Sequence, residues 1–540
     1  MATSHNNLCT IFCSLLFCLH ILTSLKGLYS LEEDSQDWIN HGGDLFNRRY
    51  AYKEHKINQE TIHNLSLKWK FNVSKEITST PTIFNGTIYF SSWNGYIYAL
   101  KTSDGSLVWK QNIENITGLK SPGFVPNVNY TFSRATPSIA SDDLLVIGIC
   151  GPAVVIALNR IYGKLVWMTQ LDDHNSGAIT MSGTYYKGGF YVGTSSQEES
   201  LSVEKCCTFR GSFTKLNITS GAIIWQTYML PNNHGNKNEY SGAAIWGSSP
   251  SIDPLRNLVY IATGNLYTVP LRISQCQQNE NNQTIPSHKD ECVENDNHSD
   301  SILALDLDSG KIQWYQQFGG YDVWFAACNN LSTPNCPPGP NPDADFGEAP
   351  MILTIYVNGS KQDIVVTVQK SGFAWALNRD NGGLVWSTEA GPSGLGGGGT
   401  WGAATDEKNV YTNIVNTYGK NFTLVPSNNI TNNGGWVALD ARGGKIKWSI
   451  SNPSNTTIIS GPVSVANGVL FVASPTKDGT IYAINTENGK IIWSYEIGIG
   501  VYGGVSISNG CIYVGQGLSP ITAPANYKPI GDISLFAFCV

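Results

Sequence analysis

The sequence predicts an all-β fold, an eight-bladed β-propeller of four-stranded blades whose ring is closed by strands from the two ends of the chain. Two observations carry this expectation. The first is a frame of the type ALDLDSGKIQW (residues 304–314), in which an apolar pair, a polar turn with a glycine and an apolar run end on a tryptophan. It occurs in seven copies, the others being ALKTSDGSLVW (99–109), ALNRIYGKLVW (157–167), KLNITSGAIIW (215–225), ALNRDNGGLVW (376–386), ALDARGGKIKW (438–448) and AINTENGKIIW (483–493). Strands lead into and out of each copy, so each is a hairpin with an anchor, and stacked repeats of one unit make a single architecture.

The second observation is a leftover at each end. Residues 64–72, NLSLKWKFN, alternate as a strand and carry Trp69, placed before Trp109 as the repeat tryptophans are spaced from one another. After Trp493 come three strand-like runs, 501–507, 511–515 and 533–538, with no repeat of their own. Pairing the first strand with these completes an eighth blade and leaves no long exposed edge.

Within a unit the strands are short. In the first blade the segments starting at Ser79, Gly86, Gly95 and Ser106 are separated by Asn-Gly and Asp-Gly punctuation. No stretch holds a period of 3.6, so helix should be minor. Residues 31–62 read as an irregular lead-in, and 275–301, rich in Asn, Gln and Asp, as a polar surface insertion. The chain divides into a secretory signal, residues 1–30, and a single propeller domain, residues 31–540.

Composition agrees. Of 540 residues 41% are hydrophobic and 14% charged, with 55 glycines and 15 tryptophans, as tight-turned β structure requires. A net charge of −7 without a basic cluster excludes nucleic acid and an anionic membrane surface as expected partners. Residues 8–24, LCTIFCSLLFCLHILTS, are too short for a comfortable span and sit where a secretory signal belongs, with cleavage near residues 27–30. An uncleaved anchor is the other reading of that run; no second apolar stretch long enough to span follows, so a soluble, exported product is expected. Thirteen Asn-x-Ser/Thr acceptors favour N-glycosylation: Asn64, Asn72, Asn85, Asn115, Asn129, Asn217, Asn282, Asn297, Asn330, Asn358, Asn421, Asn429 and Asn455. Cys276 with Cys292, and Cys328 with Cys336, bracket short polar segments as loop-closing disulfides would; Cys511 and Cys539 could tie the C-terminus, leaving Cys150 as a buried thiol. The histidines show no zinc spacing.

The A-L-D-x-x-x-G-K-x-x-W repeat resembles that of the quinoprotein alcohol dehydrogenases, which use pyrroloquinoline quinone (PQQ), over residues 37–540. The polyvinyl-alcohol-dehydrogenase-like branch is resembled in particular, through Cys206-Cys207-Thr-Phe-Arg-Gly, Gln369-Lys-Ser-Gly and the run 394–401. A flat, trianionic quinone needs an aromatic floor, a lid, cations for its carboxylates and a hard divalent ion. The resemblance implies Trp246 as the floor and Cys206–Cys207 as a disulfide between neighbours over the other face. Arg134 and Arg210 would pair with cofactor carboxylates, and the glycine run ending in Trp401 would let backbone approach the ligand. Asn265 matches the family's amide ligand for calcium, while Glu198 and Glu199 compete for the carboxylate ligand.

Lys370 matches the basic residue that hydrogen-bonds the quinone. The family's catalytic aspartate follows a tryptophan, a position held here by Phe325. Counting back from Pro350 places Asp343 at the family's spacing, with Asp322 and Asp345 as alternatives. No Cys-x-x-Cys-His is present, so no covalent haem is expected and electrons would pass to a separate acceptor. The implied activity is oxidation of a small-molecule or polymeric alcohol, or a sugar-like hydroxyl, by hydride transfer to PQQ with Ca2+ assistance. A non-catalytic propeller binding protein or carbohydrate on its channel face is the other reading at this point.

Overall fold

Each repeat folds as the two outer strands of a blade, and the reason it contains both a glycine and a tryptophan lies between blades. In a computed structural model, which describes residues 36–540 apart from 122, 124–127, 248, 282–291, 293, 319–320, 331–342, 395–398 and 520–531, the chain forms eight four-stranded antiparallel sheets. The expected signal segment, Asn282 and Cys336 lie outside the described residues. Blades one to seven occupy residues 82–112, 138–170, 184–228, 251–317, 351–389, 404–451 and 464–496 in turn. Blade eight joins strand Ser66–Val73 to Ile533–Cys539, with Trp69 opposite Ala537, and the Cys511–Cys539 disulfide ties the last strand to its neighbour. The expected ring closure is therefore present.

The repeat tryptophan of one blade lies on the repeat glycine of the next. The indole N–H of Trp109 donates to Arg160 O at 2.9 Å, and a Cβ on Gly163 would fall 2.8 Å from that ring. Trp225 is seated in the same way on Gly310, at 2.5 Å from such a Cβ, where φ is +70°. Glycine is thus required twice at one position, for the left-handed turn and for the close approach of the ring. Trp493 closes the circle by donating to Leu65 O at 3.1 Å.

The lead-in is irregular, as expected, yet firmly placed. Carbonyls of Trp38, Ile39, Leu45, Phe46, Arg48 and Arg49 accept N–H groups of Ile83, Ile139, Ile252, Ile352, Thr405 and Val465, which lie on or beside the inner strands of blades one, two, four, five, six and seven. Arg49, fully buried, adds a bond from Nη2 to Val505 O of blade eight at 3.2 Å. One end of the channel is closed this way. The opposite end is built by two kinds of connection, from the second to the third strand of a blade and from an outer strand to the next inner strand.

One expectation needs correction. Residues 275–301 are not wholly a surface insertion: their start continues the helix Leu271–Asn281, pinned by the Cys276–Cys292 disulfide. Their last residues, Asn297, His298, Ser299, Asp300 and Ser301, are buried, because strand Ser301–Asp306 begins deep beside the channel. Among the described residues no helix is long and apolar enough to cross a membrane.

Candidate active site

A buried cluster of carboxylates around one lysine occupies the open end of the channel. The connection leaving blade four supplies Asp322, Asp343 and Asp345, and the turn between strands Ser360–Val368 and Phe373–Asn378 of blade five supplies Lys370. Lys370 Nζ lies 3.0 Å from Asp343 Oδ1 and 2.6 Å from Asp345 Oδ1. The indole N–H of Trp246, on the connection between blades three and four, donates to Asp345 Oδ2 at 2.6 Å, and Lys370 Nζ stands 5.1 Å from the centre of a Trp246 ring. Burial alone would lower the Lys370 pKa, but Asp343 and Asp345 hold it well above the ordinary lysine range, so the ammonium is always charged.

The three aspartates differ in what they can do. Both oxygens of Asp322 are taken by backbone, accepting Asp343 N–H at 3.2 Å and Ala344 N–H at 2.6 Å, and its side chain is fully buried. Burial raises its pKa to about 6, with those two N–H groups acting against the rise. Asp345 is held by both Lys370 and Trp246. Among the described residues the Asp343 carboxylate keeps one partner, Lys370, and the residue sits at φ +54°, a left-handed conformation that aspartate tolerates and that Asp322 braces from behind. Burial pushes the Asp343 pKa well above the carboxylate range; Lys370 opposes this, and Asp345 and Glu199 add to it.

Asp300 joins this group although nothing in its polar tract singles it out along the chain. It is fully buried, neither carboxylate oxygen has a hydrogen-bond partner among the described residues, and burial together with Asp322, Asp345 and Asp343 raises its pKa strongly. Its N–H donates to Gly264 O at 3.0 Å, beside Asn265. Both amide hydrogens of Asn265 are spent on Leu266 O (2.9 Å) and Trp324 O (2.8 Å), which leaves its oxygen as the group able to serve a ligand.

The two glutamates separate cleanly. Glu198 accepts Thr208 N–H at 2.7 Å and Phe209 N–H at 2.8 Å, so it anchors the loop just after Cys206–Cys207. Glu199 senses the cluster instead: burial raises its pKa to about 7, with Lys370 pulling it down and Asp345 pushing it up. Cys206 and Cys207 are joined in a disulfide and share one apolar cluster with Trp246, Phe325 and Cys328. Phe325, at the position expected for an aspartate, is thus a core residue. Cys328 is disulfide-bonded; Cys336, its expected partner, lies outside the described residues.

Beside the cluster the channel holds a cavity lined by His41, Ser79, Arg134, Thr136, Thr180, Ser182, Trp401 and Tyr502, among others, none of them acidic. Arg134 lies 3.9 Å over a Trp401 ring, and Trp401 meets Trp246 edge-on at 4.9 Å. Trp401 is fixed by its indole N–H to Tyr502 OH at 2.5 Å and by its carbonyl to His41 Nε2 at 2.6 Å. Burial, with Arg49 nearby, lowers the His41 pKa to about 3, so the ring is neutral and donates from Nε2. Arg134 is then the charged group of a cavity suited to carboxylates. Arg210 is not brought here: it donates from Nη1 to Leu230 O at 3.1 Å and stands over Tyr228. His41, Thr180, Ser182 and Tyr502 went unflagged; the recurring small hydroxyl residues ahead of the inner strands, as in Ser79-Thr-Pro and Ala135-Thr-Pro, were the available signal.

Among the described residues no three His, Cys, Asp or Glu side chains converge as a metal site. The donors near Asn265 are all oxygens and two of them, on Asp300, are unpartnered, so the chemistry fits a hard cation. Trp246, Trp401 and Arg134 supply the ring faces and the cation that a flat, carboxylate-bearing ligand calls for, around a cavity of about 20 Å³.

Residues 38–394 match the family model PQQ, described as the glucose/ethanol/alcohol dehydrogenase β-propeller domain, and residues 432–523 match that of the outer membrane protein assembly factor BamB. The chain is similar to a polyvinylalcohol dehydrogenase of Pseudomonas sp, 28% identical over 520 residues that cover 89% of this chain and 73% of that one. It is likewise 27% identical to the polyvinylalcohol dehydrogenase of Sphingopyxis sp. (strain 113P3), with the same shares covered, 89% and 73%. Among solved structures, the quinohemoprotein alcohol dehydrogenase of Comamonas testosteroni superimposes with a TM-score of 0.71 at 18% identity, over 93% of this chain and 80% of that one. The match of most of the chain to the first of these models is decisive: this protein belongs to the PQQ-dependent glucose/ethanol/alcohol dehydrogenase propeller family.

Proposed function

We propose that this propeller, exported from the cell, oxidises the hydroxyl of an alcohol with PQQ as electron acceptor and Asp343 as the base. The observation that carries this reading is the Lys370–Asp343 pair at 3.0 Å, set beside Trp246 with its backbone fixed by Asp322. Asp343 takes the hydroxyl proton. A base whose pKa burial has raised accepts that proton more readily than a solvated carboxylate. When bound, the quinone supplies a two-electron acceptor that no side chain offers, so the hydrogen on the alcohol carbon can leave with its electron pair.

Lys370 opposes the rise in the Asp343 pKa and so favours the ionised form that acts as the base. Protonation of Asp343 weakens that ion pair and would leave an ammonium N–H able to serve a ligand oxygen while Asp345 still holds the lysine. Trp246 and the Cys206–Cys207 disulfide would flank the cofactor, with Arg134 and Trp401 at its carboxylate end. Calcium would be held by the Asn265 oxygen and Glu199, since Glu198 is committed to backbone; it would offset the carboxylate excess that Lys370 alone does not neutralise. Electrons would leave to a separate acceptor. Export is supported by the apolar run 8–24 and by exposed acceptors at Asn64, Asn72, Asn85, Asn115, Asn129, Asn358, Asn421, Asn429 and Asn455, whereas Asn297 is buried and unsuited to a glycan.

The test is a titration of purified apo-protein with PQQ and Ca2+, following quinone absorbance and then dye reduction with simple alcohols. Saturable binding at micromolar quinone and alcohol-dependent dye reduction are expected. Absence of quinone binding in that range would overturn the reading.

A further inference from the structure

A few residues beyond the Cys206–Cys207 disulfide the same loop reaches a second opening. Gln170, Leu171, Asp172, Asp173 and Tyr228 line an open cleft of about 350 Å³ between the connection leaving blade two and the outer strand of blade three. Arg210 borders it, its guanidinium 4.3 Å from the centre of the Tyr228 ring. Tyr228 is 42% exposed and Asp173 is exposed, while Asp172 is half-buried.

The chemistry of this lining is mixed in a specific way. Asp172 and Asp173 only accept hydrogen bonds, Arg210 and the Gln170 amide supply donors, and the Tyr228 hydroxyl does both. Two carboxylates disfavour an anion. Arg210 opposes a cation, and no third metal-ligating side chain joins the pair among the described residues. A purely apolar ligand would strip water from these groups without replacing it. What matches is a ligand whose groups donate and accept in turn and whose C–H faces can lie on an aromatic ring, namely a chain bearing repeated hydroxyls.

Position adds to chemistry. Both openings are on the same end of the channel, built by the same two kinds of connection. From Cys207 to Arg210 the loop spans at most about 11 Å of extended chain. The strip between them is held rigid: Glu198 accepts the N–H groups of Thr208 and Phe209, and His174 Nε2 lies 3.3 Å from Glu198 Oε1 while its own N–H donates to Asp172 Oδ1 at 2.8 Å. One carboxylate thus ties the blade-two wall of the cleft, through His174, to the loop that follows the disulfide beside Trp246.

We propose that this cleft is a subsite that holds a polyhydroxylated chain while one of its hydroxyls is presented to Asp343. The proposal rests on the reading of Asp343 as the base of a PQQ-dependent alcohol dehydrogenase reaction. It is tested first without turnover, by calorimetry of the full-length protein with short poly(vinyl alcohol) and, separately, with a neutral oligosaccharide, against the variants Tyr228→Ala and Asp173→Ala. Affinity for one of the two chains should fall about tenfold in each variant, and the chain that binds identifies the source of the hydroxyls. Asp173 is exposed, so its variant tests the cleft without disturbing packing. With cofactor present, KM for the chain should rise about tenfold in both variants while kcat/KM for 2-propanol stays unchanged. Equal affinity for wild type and both variants, or no binding of either chain to wild type, overturns the subsite. Loss of chain binding in the variants of a protein that oxidises no alcohol would keep the subsite and overturn the catalytic reading.

Discussion

The carboxylate of Asp322 accepts the backbone N–H of Ala344 at 2.6 Å, joining two points on either side of an insertion that separates them by 22 residues. This contact sets the backbone of Asp343 in place, the residue proposed above as the base. Asp322→Ala should therefore lower kcat by about a hundredfold, as loss of near-attack geometry does, while leaving quinone affinity within about threefold. Steady-state kinetics beside a quinone titration reads both quantities.

Asp343→Asn removes the carboxylate that, unlike Asp322 and Asp345, is held by neither backbone N–H groups nor Trp246 among the described residues. It should cut kcat by about a thousandfold with the quinone still bound. In the wild type, the pKa of Asp343 is raised, so the base is lost as pH falls and the rate should climb with pH; the residual rate of the variant should lack that limb. A pH–rate profile of both proteins decides it.

Glu348, behind the Trp246 and Trp401 platform, is a buried acid whose pKa burial raises from 4.5 to about 8, against the pull of the Val368 N–H and Arg49. The folded protein then binds more protons than the unfolded chain between pH 4.5 and about 8, so stability falls as pH rises through that window. Glu348→Gln should raise Tm by roughly 5 °C at pH 8.5 and change it little at pH 4.5. Calorimetric scans across that range measure the difference.

Gly310→Ala places a Cβ 2.5 Å from the Trp225 ring at φ +70°. The conformational cost of about 1–2 kcal/mol adds to an overpacking cost of about 1–3 kcal/mol, so a loss of about 3 kcal/mol is expected. Denaturant unfolding should show it, with no change in quinone affinity for the folded fraction.

The sequence alone determined the propeller, its eight blades and the way the ends close, because a tryptophan and a glycine recurring in one frame are short-range requirements of every blade junction. It also pointed to Trp246, Asn265, Lys370 and the Cys206–Cys207 pair, each carried by a local motif. Only the tertiary structure showed how each carboxylate is held. Glu198 and Glu199 are neighbours in sequence with different surroundings, one bound to Thr208 and Phe209, the other within electrostatic reach of Lys370 and Asp345. Asp300 lay hidden in a polar tract, and Arg210 went to another cleft. Such roles depend on which groups from separate blades meet, and on how deeply they are withdrawn from water. Neither is encoded in a residue's own neighbours along the chain.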